Sequence, residues 1–211
     1  MSAAAREIIV ATSNPGKLSE IRALLADLPI RVCGLASVSG VALPEEGDDY
    51  AANAAGKARA VARAAGRLAL ADDSGLEVAG LGGAPGPRSA RFGGPGLDDA
   101  GRVRALLAAL AHARGAARSA RFVCVAALAT PRGEVVTTRG ECRGRLLDAP
   151  CGSGGFGYDP IFVAEGTQVS FAQLPELEKS RLSHRGIAIR ALVPQLRSAL
   201  AAQSPNAAMR S

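Results

Sequence analysis

The chain has 211 residues, of which 48% are hydrophobic and 3% aromatic, and its formal net charge is +6. That size suits one medium domain, or two lobes sharing a sheet, around a core of small aliphatic side chains. Its Lys and Arg residues form no long run and few rings are available to stack on bases, which argues against a stable nucleic-acid partner. No uncharged apolar stretch reaches about 18 residues, which argues against a membrane span.

The strand-like run Glu7–Ala11 leads through the polar turn Thr12–Gly16 into a helix over Lys17–Ala26, whose apolar face is Leu18, Ile21, Leu24 and Leu25. A second strand is predicted at Arg31–Leu35. An acidic loop, Pro44–Asp49, precedes an alanine-rich helix over Tyr50–Ala65 that contains Asn53 and Lys57. The strand Leu68–Ala71 runs into Asp72-Asp73-Ser74-Gly75, a tetrapeptide that also suits a turn, with a further extended piece at Leu76–Val78. Gly80–Gly96 is loop, and Leu97–Ala113 is mostly helix. Ser119–Thr130 and Glu134–Cys142 form a hairpin about Pro131-Arg132-Gly133. A glycine-rich loop, Gly152–Pro160, precedes the short strand Ile161-Phe162-Val163. A polar helical turn follows at Pro175–Ser180, then a last helix within His184–Leu200 that Pro194 should bend or interrupt. Residues 1–200 read as a single unit and 201–211 as a flexible tail.

The four cysteines, Cys33, Cys124, Cys142 and Cys151, make no CxxC pair, and His112 and His184 do not stand at zinc spacings from them. Cys33 and Cys124 lie in apolar runs and read as core thiols. Nothing resembles a signal peptide, so a cytoplasmic location is expected.

Four constellations carry chemistry. The turn Thr12-Ser13-Asn14-Pro15-Gly16-Lys17 sits between strand and helix, where backbone N–H groups, hydroxyls and one lysine suit a polyanion, although it is not a Walker A loop and also reads as an ordinary βα turn. Glu45, Glu46, Asp72 and Asp73 are carboxylates for a hard cation such as Mg2+, and one of them could orient water; the same residues suit caps and turns. Phe156, Gly157, Tyr158 and Asp159 set two rings among glycines, where a ring can stack on a base. Lys179, His184 and Arg185 add donors for phosphate or a base carbonyl.

Five ordered blocks resemble the inosine triphosphate pyrophosphatase family, known in bacteria as the dITP/XTP pyrophosphatases. They are Ala11–Lys17, Ala71–Leu76, Leu81–Gly86 with Ser89–Phe92, Gly154–Pro160, and Ser183–Gly186. The resemblance implies an α/β fold of two lobes, with a long central mixed sheet flanked by helices and a cleft between them. It implies a Mg2+-dependent homodimer that hydrolyses ITP, dITP, XTP and dXTP to the monophosphate and pyrophosphate. It places the phosphate loop on Thr12, Ser13, Asn14, Pro15, Gly16 and Lys17, and metal ligands on Glu45 and Asp73 with Asp72 as a further candidate. It places the general base on Asp73 and substrate contacts on Ser74, Phe156, Gly157, Tyr158, Asp159, Lys179, His184 and Arg185. Two positions depart from the family pattern. Ala52-Asn53-Ala54 stands where Glu-Asn-Ala is common, leaving Glu45, Glu46 or Asp49 to substitute, and Phe92 stands where a tyrosine is common. The rival readings are a pyrophosphatase for pyrimidine or modified nucleoside triphosphates and a non-catalytic nucleotide-binding protein.

Overall fold

A computed structural model describes residues 6–202. β1 (Arg6–Val10) leads into α1 (Pro15–Leu24), with Asn14 as its cap and Pro15 at the first helical position. β2 (Ile30–Gly34) precedes α2 (Tyr50–Ala65), which Asp49 caps by accepting from the Ala51 and Ala52 amides. The later elements are β3 (Ala69–Val78), β4 (Pro85–Gly86), α3 (Asp99–Ala109), β5 (Ser119–Ala129), β6 (Val135–Leu146), β7 (Phe162–Ala164), α4 (Glu176–Leu182) and α5 (His184–Ala202). They build one seven-stranded mixed sheet in the order β2-β1-β3-β5-β6-β7, with β4 paired to β3 off this path. The β2-β1-β3 part is parallel, and β3, β5, β6 and β7 pair antiparallel.

Strand alternation divides the apolar residues between the two faces. Ile8, Val10, Leu70, Cys124 and Leu128 pack with Ile21 and Leu25 of α1 and Ile189, Leu192 and Leu196 of α5. On the opposite face, Ile9, Ala69, Ala71, Ala127 and Cys33 pack with Ala54, Ala58 and Val61 of α2. Alanine against alanine lets that helix lie close to the sheet, which accounts for the alanine-rich run. The far half of the sheet holds a third cluster, in which Leu76, Phe122, Phe162 and Phe171 meet Val103, Leu106 and Leu110 of α3.

Several elements differ from the sequence reading, among them β6, which runs past the expected Cys142 to Leu146. Asp72–Gly75 is not a turn, because β3 runs unbroken from Ala69 to Val78. The long partner β5 pairs with it from Ala69↔Ala129 to Val78↔Ala120, and that ladder overrides the local turn preference. Gly75 is required there, since a Cβ would lie 2.0 Å from the Gly86 carbonyl oxygen. Asp72 and Asp73 therefore stand in mid-strand, just past the carboxyl end of the parallel neighbour β1, whose last paired residue, Val10, lies opposite Leu70. Pro194 does not interrupt α5: it sits on the exposed face while Leu192, Leu196 and Leu200 are buried on the other. α5 also takes in residues 201 and 202, and the remainder of the expected tail, 203–211, lies outside the described residues. No helix among the described residues is long and apolar enough to cross a membrane.

Candidate active site

The start of α1 opens the site. Asn14 Oδ1 accepts from the Lys17 amide at 3.1 Å, and Thr12 Oγ1 accepts from the Asn14 amide at 3.1 Å. Thr12 is half-buried, and Ser13, Asn14 and Pro15 are exposed. Lys17 turns inward, with its Nζ 3.0 Å from Asp72 Oδ2.

Behind it lies a buried network of three cations and three carboxylates. Arg185 donates to Asp72 Oδ2 from Nε at 3.2 Å and from Nη2 at 3.1 Å, and it also reaches Ser74 Oγ at 2.9 Å. Its Nη1 lies 2.5 Å from Glu20 Oε2. Lys179 donates to Glu20 at 2.5 Å and to Asp159 at 2.6 Å. Burial works to raise the Asp72 pKa, but the charges of Lys17 and Arg185 hold it well below the usual carboxylate range. Burial opposes ionisation of Glu20 too, and Arg185 with Lys179 outweighs it, so that pKa is lowered.

Asp73 points to the opposite face of the sheet, because neighbouring residues on a strand alternate. Lys57 of α2 places its Nζ 3.2 Å from Asp73 Oδ1 and 2.5 Å from Glu46 Oε1. Asn53, one turn before Lys57, donates to Asp73 Oδ2 at 2.9 Å and ties down the acidic loop by exchanging hydrogen bonds with Gly47 at 2.8 and 3.0 Å. Burial dominates at Asp73 and raises its pKa despite Lys57 and Asn53. Glu46 is also penalised by burial, but its hydrogen bond to Lys57 leaves its pKa lowered.

The expected Asp72–Asp73 pair does not share a face, and Asp72 is committed to Lys17 and Arg185. Glu46, rather than Glu45, reaches the Asp73 cluster. Glu45 is exposed and has no hydrogen bond or ion pair among the described residues, while Asp49 is occupied as the α2 cap.

The aromatic loop closes the other side. The Phe156 ring lies over Gly16, and the Lys179 and Arg185 charges sit 5.1 and 5.5 Å from its centroid. Asp159 Oδ2 accepts from the Phe156 amide at 2.8 Å. Tyr158 is buried and its hydroxyl donates to the Ser89 carbonyl at 2.9 Å, so it braces the wall rather than offering a free ring. The His184 ring stacks on Phe122 with centroids 4.6 Å apart, and its Nδ1 has no hydrogen-bond partner among the described residues. Burial holds its pKa well below the ordinary value, so the ring is neutral. Asn14, Lys17, Ser74, Phe156, Lys179 and His184 all line one cleft of about 180 Å³. A larger hollow of about 330 Å³, near Glu77, Arg121 and Arg143, contains none of these residues. Its Arg121 is already paired with Glu77 and Glu141.

Sequence reasoning missed Glu20, Asn53, Lys57 and Asp99 as site residues. Glu20 stands three positions after Lys17, and Asn53 and Lys57 are four apart, so each pair shares a helix face. For Asn53 and Lys57 the available signal was a polar pair on an otherwise alanine-rich face.

The contact of Phe156 with Gly16 yields a prediction. A Cβ on Gly16 would lie 2.6 Å from Phe156 Cδ1, so Gly16→Ala must push the ring aside. We expect the affinity of the cleft for its ligand to fall about tenfold through misplacement of the ring, while thermal stability is kept, because alanine favours a helix over glycine. Ligand titration and a thermal melt read the two effects separately.

A mixed α/β sheet, with a helix start, buried cations and an aromatic loop around one cleft and a lysine–carboxylate cluster on the other face of β3, defines an α/β protein with a charged, ring-lined cleft. The Ham1 family model matches residues 8–195, and the chain belongs to the Ham1 family. It is 51% identical to a dITP/XTP pyrophosphatase of Deinococcus deserti, over 89% of this chain and 88% of the relative. It is 46% identical to the dITP/XTP pyrophosphatase of Streptomyces coelicolor, over 92% of this chain and 98% of that one. Among solved structures, a HAM1 protein from Coxiella burnetii superposes with a TM-score of 0.81 at 40% identity, covering 92% of this chain and 99% of its own. The expected α/β architecture, with a central mixed sheet flanked by helices, is thereby borne out.

Proposed function

We propose that this chain hydrolyses the non-canonical purine nucleoside triphosphates ITP, dITP, XTP and dXTP to the monophosphate and pyrophosphate. The observation that supports this most is the division of charge across β3. Asp72 gathers Lys17 and Arg185 on one face, while Asp73 and Glu46 converge on Lys57 on the other. The activity printed for the relatives points the same way.

Among the described residues no group of three or more His, Cys, Asp or Glu side chains could hold a metal alone. Mg2+ does not need one, since it commonly takes one or two carboxylates with water and substrate phosphates. Glu46 and Asp73, already sharing one ammonium, fit that requirement and would hold it. When bound, it would supply positive charge against the phosphate oxygens. The α1 amides and Lys17 bind phosphate oxygens, with Lys17 exchanging Asp72 for substrate. Asp73, its pKa raised by burial, orients and deprotonates the water that attacks the α-phosphorus. Phe156 covers the base. Lys179, neutral His184 and Arg185 stand on the same side, where their donors suit the C6 carbonyl of hypoxanthine and xanthine. Lys179 and Arg185 keep their carboxylate partners, whereas His184 Nδ1 has none among the described residues, and an adenine amino group set against it as a donor would leave both unpaired, at about 1–3 kcal/mol for each buried group.

The protein is read as a cytoplasmic homodimer acting on free nucleotides, without nucleic-acid or membrane partners. A steady-state comparison of ITP, XTP, dITP, GTP, ATP and dTTP, with and without Mg2+ and with pyrophosphate detection, tests the reading. ITP and XTP should exceed ATP in kcat/KM by about tenfold or more, with no turnover lacking Mg2+. A preference for dTTP would favour the pyrimidine reading, and binding without product would favour a non-catalytic role.

A further inference from the structure

The first turn of α3 reaches across the cleft wall. Asp99 accepts from the Gly157 amide through Oδ2 at 2.7 Å and from Arg102 Nη1 through Oδ1 at 3.0 Å. Arg102 in turn donates from Nε to the Ala90 carbonyl at 2.8 Å. Asp99, Arg102, Ala90 and Gly157 all line the cleft. Asp99 and Arg102 together thus join three segments: α3, the stretch around Ser89–Arg91, and the aromatic loop. Gly157 lies between Phe156 and Tyr158 at φ +62°, a left-handed conformation that glycine adopts at little cost. On its other side, Asp159 holds the loop through the Phe156 amide. The loop is pinned at consecutive amides by two carboxylates, and the pin at Gly157 comes from a different element of the fold.

We propose that Asp99 is a positioning residue of the nucleotide site: through the Gly157 amide it sets the aromatic loop, and so the placement of Phe156 over the base. The inference rests on the reading of the cleft as a nucleotide site. Asp99 touches no reacting atom, so its loss should act on binding and leave chemistry in place. Asp99→Ala should raise the KM for ITP about three- to tenfold, a modest effect because the carboxylate is partly exposed and screened, with kcat within about twofold. The Gly157 amide should exchange with solvent about tenfold faster.

Asp99 also places negative charge at a helix start, where it favours α3. Asp99→Asn separates the two roles, because it removes that charge but keeps an oxygen to accept from Gly157. The experiment measures ITP kinetics and amide exchange by NMR for wild type, Asp99→Ala and Asp99→Asn. A raised KM and faster Gly157 exchange in the alanine variant, both restored by asparagine, support the proposal. An alanine variant unchanged in both overturns it, and so does an asparagine variant as impaired as alanine, since the loss would then follow the charge, at the helix start or on Arg102, and not the Gly157 hydrogen bond. A wild type that releases no pyrophosphate from any triphosphate refutes the function reading alone, and Gly157 exchange still decides the anchor.

Discussion

Asp73→Asn should lower turnover of the preferred triphosphate by about two to four orders of magnitude, the usual contribution of a general base, while leaving the fold intact. The asparagine oxygen still accepts from Asn53, and Lys57 keeps Glu46 as its partner. Burial raises the Asp73 pKa, so at neutral pH the folded state is the one that disfavours its charge. A carboxyl whose folded pKa lies above its unfolded value subtracts from stability once the pH exceeds both. The neutral variant should therefore melt no lower than wild type at pH 7. Loss of the base should also remove the acid limb of the wild-type kcat/KM profile in the variant. Near-normal turnover in Asp73→Asn would remove Asp73 from the reaction.

The parts of this protein that were legible in the sequence are those made within one segment. Thr12–Lys17 makes a capped helix start from its own residues, and the hairpin of β5 and β6 follows, as far as Cys142, from alternation and a turn. What stayed hidden depends on distant partners. Whether Asp72–Gly75 is strand or turn was decided by β5, about fifty positions later, and with it the face each carboxylate takes. Glu20 looked like an ordinary helix residue because its partner Arg185 is 165 positions away. The choice between Glu45 and Glu46 lay in an irregular loop with no period, set only when Asn53 and Lys57 grip it.

Arg185→Ala should be the most destabilising single change in the cleft. Arg185 is buried between Glu20 and Asp72, and removing one partner from such a network commonly costs about 3–5 kcal/mol. For a chain of this size that corresponds to a fall of roughly 6–20 °C in Tm. Glu20 and Asp72 both have lowered pKa values in the fold. Their contribution is thus fully present above the unfolded carboxylate pKa of about 4 and is lost as the pH falls through the lowered values. The gap in unfolding free energy between wild type and Arg185→Ala should accordingly be widest near pH 7 and shrink towards pH 3. Urea denaturation at the two pH values measures it. Arg185→Lys should fall between the two proteins, because an ammonium keeps the charge but not the fork that reaches both carboxylates and Ser74. A melt of Arg185→Ala within about 2 °C of wild type at pH 7, against the scaling used above, would mean that Lys17 and Lys179 alone neutralise the buried acids. Lys17 would then not be free to leave Asp72 for a phosphate. The stability measurement therefore tests a catalytic requirement: Arg185 must hold Asp72 ionised while Lys17 changes partners.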